Sequence, residues 1–165
     1  MSLVIRKMDP GDAQAFLEVH HAAVREIAAK DYPPTVVEDW ARLPLTEDAI
    51  ERVRANPDNE FRLVAEVEGR IVGIGALVVE NSELRACYVA PGASRKGVGS
   101  ALVREIERVA RGQGLAFLEV ESSITAEPFY AMLGYSVLER GNHILRSGQA
   151  MACVKMRKEL AFRQI

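Results

Sequence analysis

Cysteine is scarce. Among 165 residues there are two, Cys87 and Cys153. They form no Cys-x-x-Cys pair and have no histidine nearby, so nothing argues for a zinc site or any other metal. Both lie in apolar, strand-like runs and read as buried free thiols. Excess charge is missing as well: the formal net charge is −2. No basic surplus points to nucleic acid or to an anionic membrane. No apolar run approaches the roughly 18 residues that cross a bilayer. The start, Met1 to Arg6, lacks the apolar stretch of a secretory signal. There is no internal repeat, no low-complexity tract and no linker. These absences lead to the expectation of one cytoplasmic domain over residues 1–165, with neither a membrane nor a nucleic-acid partner.

The chain holds 48% apolar and 27% charged residues, an ordinary globular balance. That suffices for a core without disulfides or metals as staples. Leu3 to Met8 reads as a first strand. Phe16, Val19, Ala23, Val24 and Ile27 recur at helical spacing, which predicts an amphipathic helix over 13–29, capped by Asp12 and stopped at Tyr32-Pro33-Pro34. Thr35 and Glu38 fit a capping box for a short helix that carries Trp40 and ends near Pro44. Thr46 opens a third helix, which ends at Asn56-Pro57. Strands are predicted over 61–67, 70–80 and 83–89, joined by tight turns into an antiparallel meander. From Val98 the apolar residues trace a helix face that ends at Gly112 and Gly114. A strand over 115–121, a short helix over 125–133 and a strand pair at 137–140 and 149–158 follow. Strands and helices mixed in one domain of this size predict an α/β class with a mixed sheet flanked by helices.

The informative stretch is the strand ending at Val89, a loop, and Gly97-Val98-Gly99 opening a helix. A helix N-terminus presents unpaired N–H groups and partial positive charge, and glycines there let ligand oxygens approach closely. Arg95 and Lys96 add charge, so the chemistry suits a phosphate or pyrophosphate. Gly92 and Gly97 have the spacing of a P-loop, but Val98-Gly99 stand where Lys-Ser is required. A dinucleotide fingerprint fails because Leu102 occupies its third glycine position and a long loop intervenes. A loop that merely caps a helix is the competing reading.

Two segments together resemble a known family. Glu83-Leu84-Arg85-Ala86-Cys87-Tyr88-Val89-Ala90-Pro91 followed by Ser94-Arg95-Lys96-Gly97-Val98-Gly99-Ser100-Ala101-Leu102 is similar to the cofactor motif of the GNAT superfamily of N-acetyltransferases. Leu118-Glu119-Val120, Ala126, Phe129-Tyr130 and Leu133-Gly134-Tyr135 resemble that family's second motif. The order of elements matches across nearly the whole chain. The family places Arg or Gln where Ser94 stands; Arg95 lies one position later, so a pyrophosphate contact is lost or taken over by Arg95 or Lys96. The resemblance implies a mostly antiparallel GNAT sheet with a V-shaped cleft between the strands at 83–89 and 115–121. It implies acetyl-CoA as co-substrate, with the backbone of Cys87, Tyr88 and Val89 pairing with the pantetheine arm. Amides from Arg95 and Lys96 through Gly97, Val98, Gly99 and Ser100 would take the pyrophosphate.

Acyl transfer from a thioester to an amine needs a neutral amine, a polarised carbonyl and a proton for the departing thiolate. No covalent nucleophile is needed, and no Ser-His-Asp arrangement is visible. Tyr130 shares a helix face with Ala126, Phe129 and Leu133, which by itself fits a core aromatic. The resemblance places it at the thiolate-protonating position, and a phenol of pKa about 10 can serve a thiolate whose acid has pKa about 8.5. Glu83 matches the general base of the histone-acetylating members, and Glu119 the glutamate of members that acetylate protein N-termini. Either is equally a solvated strand-end carboxylate. His20 and His21 on the first helix read as surface or packing residues. Residues 20–46 and the loop 141–148, with Asn142, His143 and Arg146, are expected to wall the acceptor site. Tyr32 and Trp40 suggest an enclosed groove, and hence a small-molecule amine rather than a protein tail. A homodimer is left open. The function expected is transfer of acetyl from acetyl-CoA to a primary amine by direct attack in a ternary complex. The alternative is an idle acyl-CoA-binding sensor or structural domain on the same fold.

Overall fold

A computed structural model describes residues 2–160. Seven strands form one sheet: β1 (Leu3–Lys7), β2 (Phe61–Val67), β3 (Arg70–Val78), β4 (Glu83–Val89), β5 (Phe117–Ser123), β6 (Ser136–Ile144) and β7 (Ala150–Glu159). Their order across the sheet is β1-β2-β3-β4-β5-β7-β6. Every neighbouring pair is antiparallel except β4 and β5. Five helices flank it: α1 (Ala13–Glu26), α2 (Pro34–Trp40), α3 (Glu47–Ala55), α4 (Val98–Gly112) and α5 (Glu127–Met132). The mixed, mostly antiparallel α/β sheet is the one expected.

One face of the sheet is covered by α4. Leu102, Val103, Ile106 and Ala110 are fully buried there with Leu63, Leu77, Leu84, Leu118 and Met156. The helix lies very close to β3. A Cβ on Gly73 would sit 2.8 Å from Val98 Cγ1, and one on Gly75 2.9 Å from Ile106 Cδ1. Any larger residue at either position would push α4 off the sheet. On the opposite face Phe16 and Val19 of α1 pack with Val64 and Ile74. A third cluster joins Val24, Tyr32, Val36 and Val37 to Leu145 and Met151 of the last hairpin.

Several local expectations are corrected. Asp12 does not cap α1. Its carboxylate takes two bonds from Arg6, at 2.8 and 3.1 Å, and one from the Asp9 amide at 2.8 Å. The capping box at Thr35 does not form either, because α2 starts two residues earlier, with Pro33 as N-cap and Pro34 in its first turn. A proline there is pre-set for helix and gives up only an amide that has no partner. Thr46 does cap α3, its hydroxyl accepting from the Ala49 amide at 3.1 Å. Strand β5 begins and ends two residues later than expected, and β6 runs on to Ile144, taking in half of the expected loop 141–148.

The register around β4 positions the site. Ala76 pairs with Ala86 and Leu77 with Leu84, so Arg85 is an extra residue in β4. Such a bulge bends the strand and resets its alternation. Leu84, Cys87 and Val89 therefore pack on the α4 side, while Tyr88 packs on the α1 side. Between β4 and β5 the pairing stops at Glu83 opposite Glu119, beside the Glu119 amide's 2.8 Å bond to the Ser82 carbonyl. Beyond that point the two parallel strands diverge.

Candidate active site

The divergence leaves the β5-facing edge of β4 without a ladder from Arg85 to Val89. Cys87, Tyr88 and Val89 lie on this open stretch. A buried or half-buried strand edge with unpaired N–H and C=O groups invites an added extended chain. At its end the backbone turns through Pro91–Ala93, where the Ser94 hydroxyl donates to the Pro91 carbonyl at 2.9 Å. Ser94 thus closes the turn and does not extend toward a ligand as an arginine would. Arg95 (φ 61°) and Gly97 (φ 83°) both adopt left-handed backbone. Gly97 is the N-cap of α4 and has open space around it, so its glycine serves conformation. The first helical bond found is Ala101 N–H to the Gly97 carbonyl, leaving the amides of Val98, Gly99 and Ser100 free at the positive end of a 15-residue helix. Arg95 and Lys96 are exposed beside them and form no ion pair among the described residues. The chain thus offers charge and amides to a pyrophosphate next to an unladdered edge for a linear arm, which fits coenzyme A.

Helix α5 closes on this loop. A Cβ on Gly99 would meet the Phe129 ring at 3.1 Å and Val89 Cγ2 at 3.5 Å. The neighbouring Tyr130 is 3% exposed and stands edge-on to Phe129 and to Tyr135, with centroid separations of 5.1 and 5.6 Å. Burial, with the Cys87 thiol and the Tyr88 and Tyr135 phenols close by, pushes its pKa well above the ordinary value. Its hydroxyl makes no hydrogen bond among the described residues, and no sealed side-chain nitrogen or oxygen there lacks a partner. The oxygen is therefore not fully sealed. Such a phenol stays protonated and has a free donor, as a general acid must, although the raised pKa makes it a weaker acid. Cys87 is a thiol pushed up to about 12 by burial, and its Sγ donates to the Gly99 carbonyl at 3.7 Å. It packs and does not react.

Behind Tyr130 lies a buried polar group that sequence reasoning missed. Glu107, 4% exposed on the apolar face of α4, accepts from the Tyr135 hydroxyl at 2.8 Å and from Lys158 Nζ at 3.0 and 3.1 Å. It ties α4 to β7 beneath the Tyr130–Tyr135 ring pair. A lone glutamate among helical apolar positions carries no signal of its partners.

Glu83 stands at the closed end of the splay. Arg85 donates to both its oxygens, at 3.0 and 3.2 Å, and also reaches Asp58 at 2.7 Å and Glu60 at 3.4 Å. With Arg85 bulged, Glu83 and Cys87 lie opposite Val78 and Gly75 of β3, roughly 10 Å apart at strand rise. Glu119 opposite it is paired with Lys155 and Arg157.

On the α1 side of β4 a cavity of about 720 Å³ opens between α1, the α2–α3 connection, α3 and the β6–β7 hairpin. Its walls include His20, His21, Trp40, Arg52, His143 and Arg146. The segments 20–46 and 141–148, expected to wall the acceptor site, both contribute to the lining of this cavity; Asn142 is not among the lining residues. Tyr32 is not at the surface of the cavity. Its hydroxyl accepts from the Ile124 amide at 2.8 Å and donates to the Ala152 carbonyl at 2.6 Å, fixing the α1–α2 connection to the sheet. His20 and His21, read as surface or packing residues, both line the cavity. Among the described residues no group of three or more His, Cys, Asp or Glu is placed to hold a metal, and no helix is long and apolar enough to cross a membrane.

A splayed parallel pair, a glycine-opened helix beneath it and a tyrosine helix closing on both is the arrangement that the resemblance implied. The model of the acetyltransferase (GNAT) domain matches residues 28–160. This chain belongs to the GNAT family. It is 25% identical over 139 residues to an uncharacterized N-acetyltransferase, YafP, of Escherichia coli strain K12, covering 84% of this chain and 85% of that one. A GCN5-related N-acetyltransferase from Rhodopseudomonas palustris superposes with a TM-score of 0.88 at 26% identity, over 97% of both chains. The PaiA N-acetyltransferase of Thermoplasma acidophilum, solved in complex with coenzyme A, has the same fold, with a TM-score of 0.73 at 22% identity over 96% of this chain and 99% of that one.

Proposed function

We propose that this GNAT protein is an active N-acetyltransferase that moves acetyl from acetyl-CoA to a primary amine by direct attack in a ternary complex. The observation that carries the reading is Tyr130. An idle acyl-CoA-binding domain has no use for a protonated phenol whose hydroxyl is left without a partner beside the open strand edge. Bound acetyl-CoA would supply a thioester carbonyl already activated toward amines. The backbone of Cys87, Tyr88 and Val89 would hold the pantetheine arm. The amides of Gly97, Val98, Gly99 and Ser100, with Arg95 and Lys96, would hold the pyrophosphate. Coenzyme A in the Thermoplasma relative supports the same ligand here. Tyr130 would then donate its proton to the departing thiolate.

The cavity of about 720 Å³ has walls on several sides, which suits a small amine better than an extended peptide. Glu83, the base implied by the family match, would reach such an amine only through water, since Arg85 already binds both its oxygens. The test is thiol release from acetyl-CoA across a panel of small amines and N-terminal peptides. Turnover of a small amine supports the reading, and saturation better with a peptide moves the acceptor to protein tails. A coenzyme A melt shift without turnover of any amine leaves the idle domain.

A further inference from the structure

The two histidines of α1 call for an account that packing does not give. Their Nδ1 atoms are 3.0 Å apart. That separation requires one ring to donate a proton and the other to accept it, so the two are linked through that proton. His20 stacks edge-on to Tyr88 of β4 with ring centroids 4.7 Å apart, and approaches Trp40 at 6.3 Å. Both rings line the cavity. With His20 Nδ1 engaged by His21, Nε2 is its remaining nitrogen. No described residue bonds to it, and no sealed side-chain nitrogen or oxygen lacks a partner, so Nε2 is not sealed off, on a ring that lines the cavity. His21 lies farther out, with the Leu17 and Arg42 carbonyls in hydrogen-bonding reach of its ring.

We propose that His20 and His21 form a proton relay that deprotonates the acceptor amine, His20 taking the proton at Nε2 while passing its Nδ1 proton to His21. This rests on the acetyltransferase reading. Before transfer His20 is the Nδ1–H tautomer, donating to His21 Nδ1, and His21 carries its proton on Nε2. The ammonium N–H bond breaks and an N–H bond forms at His20 Nε2. The Nδ1–H bond of His20 breaks and one forms at His21 Nδ1. His20 ends neutral, His21 ends as an imidazolium, and the amine is left with the lone pair that attacks the thioester carbonyl.

The division of labour follows from environment. Burial lowers His20 to about 3, so a resting charge on that ring is strongly disfavoured. The relay never leaves one there. His21 is half-exposed and also lowered, chiefly by burial and to a smaller extent by Arg25, but the Leu17 and Arg42 carbonyls favour its charged form. The other charged or titratable groups around the pair are Asp39 and Arg42 by α2, Tyr88 on β4, and His143 and Arg146 on the last hairpin. An ammonium has no lone pair with which to attack, so this proton transfer precedes formation of the C–N bond.

The test combines nitrogen-resolved NMR of the imidazoles in the full chain with kinetics, using whichever panel amine gives the fastest thiol release. The relay predicts neutral rings at pH 7.5, His20 as Nδ1–H and His21 as Nε2–H, with the first imidazolium on acidification forming on His21. His20→Asn keeps a donor toward His21 and has no nitrogen to take the amine proton; kcat should fall about 100-fold with the coenzyme A melt shift unchanged. His21→Asn should lose a comparable factor and abolish the acidic limb of kcat/KM. An imidazolium forming first on His20, Nε2–H tautomers on both rings, or undiminished kcat in His20→Asn overturns the relay. So does a larger kcat loss from Glu83→Gln than from His20→Asn, which assigns the base to Glu83. Failure of every amine counts against the transferase reading instead, and the NMR tautomers and order of protonation then decide the relay by themselves.

Discussion

Burying His20 couples folding to pH. Its imidazole falls from 6.5 to about 3 on folding, mainly through desolvation. Between those values the unfolded chain binds a proton that the native chain does not, so stability must fall as pH drops through that window. Above about pH 6.5 both states are neutral and the whole contribution is present; below about pH 3 both are charged and it is gone. Within the window the slope is about 1.4 kcal/mol per pH unit for one group. In a chain of this size about 1 kcal/mol moves Tm by about 2–4 °C, so His20 should contribute a fall of about 3–5 °C per pH unit. His21, also lowered by burial, adds in the upper part of the window. The measurement is calorimetric melting of the parent chain and His20→Asn from pH 7.5 to 4.5. The parent should lose Tm more steeply, by about that difference. Carboxylates held low by arginines, Asp12 by Arg6 and Glu105 by Arg108, are common to both proteins and cancel in the comparison. Parallel Tm curves would mean that His20 is solvated or charged in the native state, which would refute both the burial argument and the relay's starting tautomers.

Tyr130→Phe should lower turnover by about 10²–10⁴-fold while Tm and acetyl-CoA affinity barely move, because the lost hydroxyl has no protein partner; near-normal turnover removes the acid role. With the Tyr130 pKa pushed upward, kcat should show no alkaline loss from this group below about pH 10, which a pH–rate profile checks. Gly99→Asp should abolish the coenzyme A melt shift, since even a Cβ there meets Phe129 at 3.1 Å and the carboxylate adds negative charge beside the pyrophosphate amides; a retained shift would sink the cofactor assignment. Lys158→Ala leaves the Glu107 carboxylate buried with only the Tyr135 hydroxyl and should cost about 3–5 kcal/mol in chemical denaturation. A loss below about 1 kcal/mol would show that water already reaches Glu107.

What could be read in the sequence was local. The 61–89 meander, α3 with its Thr46 cap and the apolar face of α4 follow from periodicity and turn chemistry. The candidate status of the glycine loop as an anion site came from residue types alone. The loop's finer geometry could not be read from them, because the left-handed Arg95 and the turn-closing Ser94 hydroxyl depend on how the loop returns to Pro91. Strand β6 was cut short because all its residues are exposed, which removes the alternation that marks a half-buried strand. The surroundings of the histidine pair could not be read for a related reason. Helical spacing reports which face a residue occupies, not what stands opposite, and Tyr88 and the β6–β7 hairpin arrive from distant parts of the chain.

The bulge at Arg85 explains how one strand can serve both halves of the proton traffic. In an unbroken strand Leu84 and Cys87 would face opposite sides of the sheet. The extra residue brings both to the α4 side, which puts Cys87 among the groups that raise the Tyr130 pKa and sends Tyr88 to the His20 ring on the other side. Adjacent residues of β4 thus adjoin the proposed acid and the proposed proton acceptor, with the unladdered backbone between them. The same bulge sets Arg85 outward, where it gathers Glu83, Glu60 and Asp58. Of the two carboxylates at the closed end of the splay, Glu83 is engaged by Arg85 of the bulge and Glu119 by Lys155 and Arg157. His20, which lines the cavity and has no acidic partner among the described residues, is where the proposed relay begins.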